Sequence, residues 1–386
     1  MIEVARRELE RISRDRLSLW LLVLLPLGAI ALLWATFSSE VVRDLPVAVF
    51  DGDRSDLSRR LVRMLDATPS IRVARQVPSP EAGYEEILAG RAWALFVIPG
   101  GLERDVRRGS PSPVVCYLNA QALIPASAIR KDAVSAVATL SAGVQLVARE
   151  ARGASPGAAL ASLRPIRVDA HTLFNPTLSY VTYMTTALLP TVLQIFVLLA
   201  AVQALGSEIR DGTGEEWLEA AGGSVWRAVA GKLAVYTVYF FALTLALLGL
   251  LWRAGGVPLQ GSAAMITAAT LLFVLAYQAL GVLFVAVAGD LRLATSAASF
   301  FSGPAFAFAG VTFPVEGMTP VARVWSSLLP LTHYLRLLSD QAIRGATPGT
   351  SIDRLGILAL FVVVVPALSL WRYRRLLAAR PSLEAS

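Results

Sequence analysis

The sequence predicts a polytopic α-helical membrane protein with an inserted α/β domain, and three observations lead to this fold class. Hydrophobic residues occupy 55% of the 386 positions and charged residues only 16%, whereas soluble proteins carry about 25% charged residues. Uncharged stretches of about 20 residues, the length that crosses a bilayer core, recur along the chain. Between the first two stretches lies a polar segment in which strand-like and helix-like patterns alternate.

The N-terminal region predicts an interfacial helix followed by a first span. Residues 1–16 place apolar side chains at spacings of three and four, and arginines cover the remaining surface. Such a helix lies in the membrane interface with its arginines toward the lipid phosphates. Residues 17–37 are uncharged over more than the length of a signal-peptide core, and no small-residue cleavage pattern follows them. We therefore predict a retained transmembrane helix at 17–37.

Residues 38–169 predict a separate α/β domain that is long enough to hold its own core. The predicted strands are 45–50, 71–74, 92–98 and 114–118, and the predicted helices are 55–66, 80–89 and 122–151. The turn Asp51-Gly52-Asp53 has two interpretations, a metal or sugar-nucleotide site or a turn that caps a helix. Cys116, the only cysteine, lies in a strand-like run and is predicted to be buried.

Five further spans complete a set of six transmembrane helices. They are predicted at 178–205, 225–251, 263–287, 293–313 and 355–371, and a basic tail follows at 372–386. Pro190 and Pro304 are expected to kink the second and fifth spans. Residues 314–353 contain two short amphipathic helices, 324–331 and 334–343, split by Pro330. These are too short to span and predict a re-entrant or interfacial hairpin.

The connection between the second and third spans, 206–224, is the most patterned polar stretch of the chain. Thr213 and Glu216 have the spacing of a capping box and Gly222 can end a helix, which predicts a short helix over about 214–221. Acidic side chains precede it or lie on it, and two apolar ones are expected to be exposed on another face: Glu208, Asp211, Glu215, Glu219, Trp217 and Leu218. This pattern favours docking of a soluble partner. The alternative is a solvated charged loop.

Basic residues near the span ends set the orientation. With a cytoplasmic N-terminus, the inner segments carry thirteen basic residues and the short outer loops carry five. The 38–169 domain and the 314–353 hairpin are therefore predicted to be extracytoplasmic, and 206–224 and both termini to be cytoplasmic. Because many arginines flank apolar spans, the net charge of +7 indicates contact with membrane lipid rather than with nucleic acid.

No catalytic or metal site is predicted. The sequence has no Gly-x-x-x-x-Gly-Lys-Ser/Thr phosphate loop, no Gly-x-Ser-x-Gly elbow and no His-Glu-x-x-His pair. Two histidines and one cysteine leave little material for a zinc site. The predicted spans carry almost no charge, which disfavours a proton- or sodium-coupled transporter. If the protein moves a substrate, the energy is expected to come from outside the chain through a cytoplasmic docking element.

Two sets of motifs resemble the permease subunits of ABC-2 type exporters, the membrane half of bacterial ABC exporters. The loop after the second span holds Glu208, Arg210, Gly212-Thr213-x-Glu215 and Gly231-Lys232. The outer segment holds Gly310-x-x-Phe313-Pro314, Met318-x-Pro320, Pro330-Leu331-Thr332-His333-Tyr334 and Arg344-Gly345. The resemblance covers the whole chain, and the large domain after the first span is typical of the branch often paired with a periplasmic adaptor. The chain departs from the family at Ala221-Gly222-Gly223-Ser224, where a Thr-Pro turn is frequent, and at the unusually polar Ser339-Asp340.

The resemblance implies a non-enzymatic transport subunit in the bacterial cytoplasmic (inner) membrane. ATP and Mg²⁺ would bind partner ABC ATPase subunits, and this chain would hold no cofactor. It would pair with a second copy or a sister permease, and a periplasmic adaptor protein and an outer-membrane channel are further candidate partners. Besides the interfacial helix, the implied ATPase-coupling residues are Glu208, Arg210, Asp211, Thr213, Glu215, Glu216, Trp217 and Glu219.

An outward substrate path is implied between spans 2 and 5 of two permeases. The residues implied to line it are Tyr180, Tyr183, Gln194, Phe301, Phe306 and Phe308. The alternative for these side chains is ordinary packing against lipid or between helices.

A second hypothesis, from another functional class, is a membrane-anchored receptor or assembly factor whose extracytoplasmic domain binds a ligand. It accounts for the 38–169 domain but gives no reason for a capped acidic helix on the other side of the membrane.

Overall fold

The computed structural model describes residues 2–15, 19–37, 43–108, 110–121, 123–150, 186–254 and 259–378. The chain divides into two compact units. The membrane unit consists of Met1–Ser38 and Ser179–Ser386, and the α/β unit consists of Ser39–Leu178.

The elements are numbered along the chain. The first part of the membrane unit holds α1 (Ile2–Arg14), a π-helical turn at Trp20–Leu24 and α2 (Leu25–Phe37). The α/β unit holds β1 (Leu45–Asp51), α3 (Asp56–Asp66), β2 (Ile71–Gln76), α4 (Pro80–Leu88), β3 (Ala94–Ile98), α5 (Leu102–Arg107), β4 (Val115–Leu118) and α6 (Leu123–Glu150). The rest of the membrane unit holds α7 (Thr186–Arg210), α8 (Gly214–Ala220), α9 (Val225–Ala254), α10 (Ala263–Ala288), α11 (Leu291–Ser302), α12 (Ala305–Phe308), α13 (Pro320–Ser327), α14 (Pro330–Leu338) and α15 (Ile352–Ala378).

The α/β unit is a four-stranded sheet in the order β2-β1-β3-β4. The central strand β1 pairs in parallel with β2 and β3, and β4 closes the sheet antiparallel to β3. Ser55 and Ser79 begin α3 and α4, because each side chain accepts a hydrogen bond from an amide three residues later. The strands and helices of this unit lie within two residues of their predicted bounds, and α5 is the one element here that the sequence pattern did not predict.

The two carboxylates of the Asp51-Gly52-Asp53 turn hold the neighbouring backbone through hydrogen bonds. Asp51 accepts hydrogen bonds from the amides of Asp53 and Arg54 at 3.1 and 2.8 Å. The Asp53 carboxylate accepts from the amides of Gly101 and Glu103 at 2.7 and 3.0 Å and so caps the start of α5. Both carboxylates are thus engaged by the backbone, which agrees with the turn-and-cap interpretation. Within the described ranges, no group of three or more potential metal ligands occurs.

Among the described residues of the membrane unit, four helices are long and apolar enough to cross a bilayer: Thr186–Arg210, Val225–Arg253, Ala263–Ala288 and Pro348–Leu377. A shorter apolar helix, Leu22–Thr36, lies within the first predicted span. Helix α10 is central and packs against α7, α9 and α15. Its Phe273 stacks on Tyr334 of α14 with ring centroids 4.3 Å apart, so the short helix α14 is held against the bundle core.

The predicted continuous fifth span, 293–313, is wrong. Helix α11 ends at Ser302, and only the four-residue α12 follows, up to Phe308. The break falls at Gly303-Pro304, where proline supplies no amide hydrogen for a continuous helical ladder. The sequence pattern identified Pro304 only as a kink.

Several other predicted boundaries also shift, and the last span extends over Ile352–Ala378 instead of 355–371, so it includes the start of the predicted basic tail. Helix α7 continues past residue 205 to Arg210, so Glu208 and Arg210 lie on the apolar helix itself and not on the connection after it. In the 314–353 segment, the first short helix is Pro320–Ser327 instead of 324–331, because Thr319 caps it. Pro330 does not split the helices but starts α14, which suits a residue without an amide hydrogen. Positions 178–185, 151–169 and 379–386 of the predicted segments lie outside the described residues.

Candidate functional site

The polar stretch singled out in the sequence lies where five helices of the membrane unit meet. Helix α8 contacts the last turns of α7 and α15, the start of α9, and α1. Because α7 and α9 are apolar enough to span a membrane, this junction lies at a membrane surface. It holds two layers, a buried ion cluster and an exposed acidic face.

The ion cluster consists of Glu8, Arg11, Glu208 and Lys232. The Lys232 ammonium is 1% exposed and lies 3.0 Å from Glu8 Oε2, and it also hydrogen-bonds to Glu208. Arg11 donates one guanidinium N–H to Glu8 Oε1 at 2.8 Å. The cluster therefore connects α1, α7 and α9 through side chains alone.

Two carboxylates and two cations make the ion cluster neutral overall. Neutrality matters because Glu8 and Glu208 are only 3% and 5% exposed, and an uncompensated charge at such depth is costly. Removing one partner of a buried ion network typically destabilises a protein by about 3–5 kcal/mol. The cluster thus links the three helices most tightly when all its members are present.

Neighbouring polar groups add further hydrogen bonds to the ion cluster, although the buried Arg11 Nε has no hydrogen-bond partner. The Tyr236 hydroxyl donates to Glu8 Oε1 at 2.6 Å, and Arg11 donates to Ser207 Oγ at 2.7 Å. The Thr213 hydroxyl donates to Glu208 Oε2 at 2.5 Å, and the Thr213 amide donates to the Glu208 carbonyl at 3.1 Å. Thr213 precedes α8 directly, so this contact ties the start of α8 to the cluster.

The predicted capping box of Thr213 and Glu216 is wrong. Thr213 occupies the N-cap position of α8, but its side chain makes no capping hydrogen bond. Its hydroxyl is instead directed to Glu208. The hydroxyl thus donates to a buried charged acceptor, and such charge-assisted hydrogen bonds are stronger than neutral ones.

Trp217 is an internal anchor, and its predicted exposure is wrong. The side chain is 1% exposed and meets Tyr373 of α15 edge to face, with ring centroids 6.3 Å apart. The Lys232 ammonium lies 5.2 Å from the centre of the Trp217 ring, on the side of the ion cluster. Gly214 lies so close to Leu377 that an added Cβ would meet the Leu377 carbonyl at 3.3 Å. Helix α8 is therefore fixed to α15 as well as to α7 and α9.

The exposed layer is acidic. Glu215, Glu216 and Glu219 of α8 are all exposed, and Glu216 lies 4.0 Å from Arg7 of α1. We call these three glutamates the acidic face. Arg210 and Asp211 form an exposed pair beside it at 2.7 Å, and the hydrogen bond from Arg210 lowers the pKa of the Asp211 carboxyl.

The end of α8 confirms the role predicted for Gly222. Gly222 and Gly223 both adopt positive φ angles, of 69° and 77°. The Gly223 amide donates to the Leu218 carbonyl and the Gly222 amide to the Glu219 carbonyl, both at 2.9 Å, as in a Schellman motif. The glycine pair therefore turns the chain sharply into α9.

The residues predicted to line a path are only partly described. Tyr180 and Tyr183 lie outside the described residues. Gln194 is fully buried on α7 and donates to the Ser302 carbonyl at 3.3 Å, next to the α11–α12 break. Phe301 packs between Phe284 and Trp325, and Phe306 and Phe308 are half-buried against the same core.

Several members of this site are not among the site residues predicted from the sequence, including Arg11, Ser207 and Tyr236. The sequence pattern predicts no role for Glu8, places Lys232 among the basic residues near span ends and in a family motif, and places Tyr373 in the basic tail 372–386. A usable signal for Lys232 existed, because Glu208 and Lys232 are the first and last charged residues between the long uncharged runs 170–207 and 233–252. Nothing in the sequence points to Glu8 as their partner.

Comparison with known protein families identifies one family whose model covers most of the chain. The family model described as ABC-2 family transporter protein matches residues 16–371. No curated protein matches the chain.

Proposed function

The chain belongs to the ABC-2 family of transporter proteins and is a membrane permease of an ABC transporter, and from this premise we propose that it works as an exporter subunit driven by separate ATPases. ABC ATPase partners follow from the family. The ATPases would dock on the acidic face and on α1, and the ion cluster would carry their movement to the spans. ATP and Mg²⁺ would bind the ATPases and not this chain.

The observation that carries the proposal is the two-layered construction of α8. One side presents three exposed glutamates to solvent, and the other is held by the ion cluster and by Trp217. A partner that pushes on the acidic face would therefore displace α1, α7, α9 and α15 together. A solvated connecting loop would need neither the buried anchor nor a neutral buried ion network.

The direction and sidedness of transport rest on charge distribution. We assign the acidic face and both termini to the cytoplasm, and the 38–169 domain to the outside of the bacterial inner membrane, because basic residues concentrate near the span ends on the acidic-face side. A periplasmic adaptor and an outer-membrane channel are the partners that an external α/β unit would serve. The transported substrate would leave through a path between two permeases, identical or sister chains, near Gln194 and the α11–α12 break.

Charge reversal on the acidic face tests the proposal. Glu215→Arg with Glu219→Arg is expected to abolish co-purification of the chain with an ABC ATPase while the thermal stability stays unchanged, because both side chains are exposed. Glu81→Arg with Glu85→Arg is the matched control, since these are exposed glutamates at the same spacing on α4. Undiminished ATPase association in the α8 variant, or no ATPase partner for the native chain, would refute the proposal and favour a membrane-anchored receptor or assembly factor.

A further inference from the structure

A cavity of about 430 Å³ lies at the other end of the membrane unit from the ion cluster. Helix α7 begins in its wall at Thr186 and ends at the ion cluster, and α15 passes its wall at Arg354 and ends beside α8. Thr186 and Glu208 are about 33 Å apart at the rise of an α-helix, close to the thickness of a bilayer core. The cavity therefore opens near the opposite membrane surface.

Three arginines from two helices and one turn line the cavity. They are Arg336 of α14, Arg344, which follows the π-helical turn Ser339–Ile343, and Arg354 of α15. Their side chains are between 29% and 47% exposed, so none is buried in the core. Three guanidinium groups around one space, against the two carboxylates of Glu316 and Asp340, leave this wall with a net positive charge.

The carboxylates nearby do not balance these arginines. Asp340, which is 4% exposed, is shared by two of them: Arg344 at 2.6 Å and Arg354. Arg336 lies 3.7 Å from Glu316, an 81% exposed carboxylate, and at that distance the pair is screened by water. Each guanidinium has five N–H donors in a planar fork, and one shared carboxylate leaves most of them for a ligand.

Most of the remaining lining residues are apolar, and Thr186, Glu316 and Ser339 are the polar ones among them. Val311, Leu335 and Ile343 contribute to the apolar part of the wall, and the volume falls within the range of pockets that hold small organic ligands, about 300–1,000 Å³. Arginine forks match the geometry of phosphate oxygens, and an apolar wall favours a hydrocarbon body. We propose that this cavity binds an amphiphilic organic phosphate, with its head on the three arginines and its apolar body on the wall.

A ligand with this chemistry can come from two sources: it is either a phospholipid of the surrounding membrane or a free amphiphile from solution. Both present a phosphate ester attached to an apolar chain, and the cavity recognises that shared feature. The site is distinct from the docking layer at α8, so the proposal stands without any assumption about ATPases or the direction of transport.

Native mass spectrometry of the purified full-length protein in neutral detergent tests the proposal. The probes are dodecyl phosphate, phosphatidylglycerol, the zwitterionic phosphatidylcholine and inorganic phosphate. We expect saturable binding of one dodecyl phosphate or one phosphatidylglycerol, with little binding of phosphatidylcholine or inorganic phosphate. Preferential binding of phosphatidylglycerol would identify a membrane phospholipid as the ligand. Preferential binding of dodecyl phosphate would identify a free amphiphile. Equal binding of inorganic phosphate and the amphiphiles would overturn the role of the apolar wall.

Two variants tie the binding to the cavity. Arg336→Gln is expected to weaken binding about tenfold, as for the loss of one charge-assisted contact, because Arg336 supports no buried partner. The combined variant Asp340→Asn, Arg344→Gln and Arg354→Gln removes the buried pairs together, and is expected to weaken binding further without leaving a lone buried charge. Arg253→Gln, an exposed arginine at the end of α9, is the control. Unchanged binding in both cavity variants, or an equal loss in the control, would overturn the proposal.

Discussion

Lys232 is the residue on which the junction of α1, α7 and α9 depends. It is one of two lysines in the chain, it is buried, and two carboxylates from two other helices surround it. A lysine in such a place is retained only when its charge is compensated, since burial penalises an isolated ammonium severely.

Replacing Lys232 tests how far the ion cluster stabilises the membrane unit. Lys232→Met is expected to lower the free energy of unfolding in detergent by about 3–5 kcal/mol, because Glu208 is left as an uncompensated buried carboxylate and Glu8 keeps only Arg11 as a cationic partner. The measurement is denaturant-induced unfolding followed by circular dichroism. Lys131→Met, at the other lysine, removes an exposed charge on α6 and is expected to change stability by less than about 0.5 kcal/mol.

Removing the carboxylates together with the lysine separates charge from packing. The combined variant Glu8→Gln, Glu208→Gln and Lys232→Met is expected to recover most of the stability lost in the single variant, because no buried carboxylate remains and Arg11 is 35% exposed to solvent. Equal destabilisation of the single and combined variants would show that electrostatic compensation is not the source of the effect.

Trp217 carries the second residue-scale prediction. Trp217→Ala is expected to destabilise the protein by about 3–5 kcal/mol, because it empties the contact between α8 and α15. Trp226→Ala, at a tryptophan that is 57% exposed, provides the comparison and is expected to have little effect on the thermal midpoint. Similar losses at both positions would contradict an anchoring role for Trp217.

For single residues, the sequence predicts that a surface is acidic better than it predicts which group each side chain contacts. The polar stretch was identified, and the exposure of Glu215, Glu216 and Glu219 matches an acidic surface. Trp217 was placed on the wrong side, because helical spacing separates faces but does not say which face another helix covers. The Thr213 hydroxyl has two candidate partners, the Glu216 amide as a donor and the Glu208 carboxylate as an acceptor, and only the folded chain shows that it binds Glu208.

Among the elements, α8 is short and depends on how its end is formed. Gly222→Ala is expected to destabilise the helix end by about 1 kcal/mol, because a Cβ is unfavourable at a φ of 69°. Hydrogen exchange of peptides covering 214–223 would show faster exchange in this variant. Gly356→Ala, in α15 with open space around the added Cβ, is expected to leave those peptides unchanged.

The α/β unit carries the pH-dependent prediction. Burial would raise the pKa of Asp53, but hydrogen bonds from Ser55 and from the backbone of residues 101–103 outweigh burial and hold the pKa below its ordinary value. A depressed carboxyl pKa contributes stability above the unfolded-state pKa of about 3.9, and this stability is lost as pH falls through the folded-state value. We expect exchange protection at the start of α5 to decrease below about pH 4.

Asp53→Asn isolates this effect in the full chain. The variant is expected to lose protection of the α5 amides already at pH 7, by about 1–2 kcal/mol, and to show a weaker additional loss on acidification, because a charged acceptor of two amides is gone. Hydrogen exchange corrected for intrinsic rates gives both quantities. Glu85→Gln, at an exposed position on α4, is the control. An acid response in Asp53→Asn equal to that of the native chain would assign the effect to other carboxyls.

Elements of the α/β unit were predictable because local rules agree there. Strand composition, the caps at Ser55 and Ser79 and the alternation of strands with helices all indicate the same boundaries. The bounds of the apolar spans were harder to predict, because hydropathy does not distinguish one continuous helix from two shorter helices. On either side of the break at Gly303-Pro304, α11 and α12 pack against α7, and the sequence pattern does not show this packing.

At the scale of the whole molecule, α7 and α15 join two sites of opposite charge character. The acidic face lies at one end of the membrane unit and the arginine-lined cavity at the other. Helices of this length act as stiff rods, so a displacement of α8 that moves the ends of α7 and α15 also moves the wall of the cavity. The ion cluster is the connection that would transmit such a displacement to α1 and α9.

Transmission through the ion cluster is the central claim, and site-specific thiol labelling tests it most directly. Cys116 is the only cysteine, so Cys116→Ser with Phe306→Cys creates a single thiol near the α11–α12 break. The readout is the labelling rate by a membrane-impermeant maleimide, in proteoliposomes with the co-purified ATPase, with and without ATP. We predict that ATP accelerates labelling when the ion cluster is intact. In the Glu8→Gln, Glu208→Gln, Lys232→Met background, the ATPase remains bound through the acidic face but ATP no longer changes the rate. Equal acceleration by ATP in both backgrounds would contradict the account.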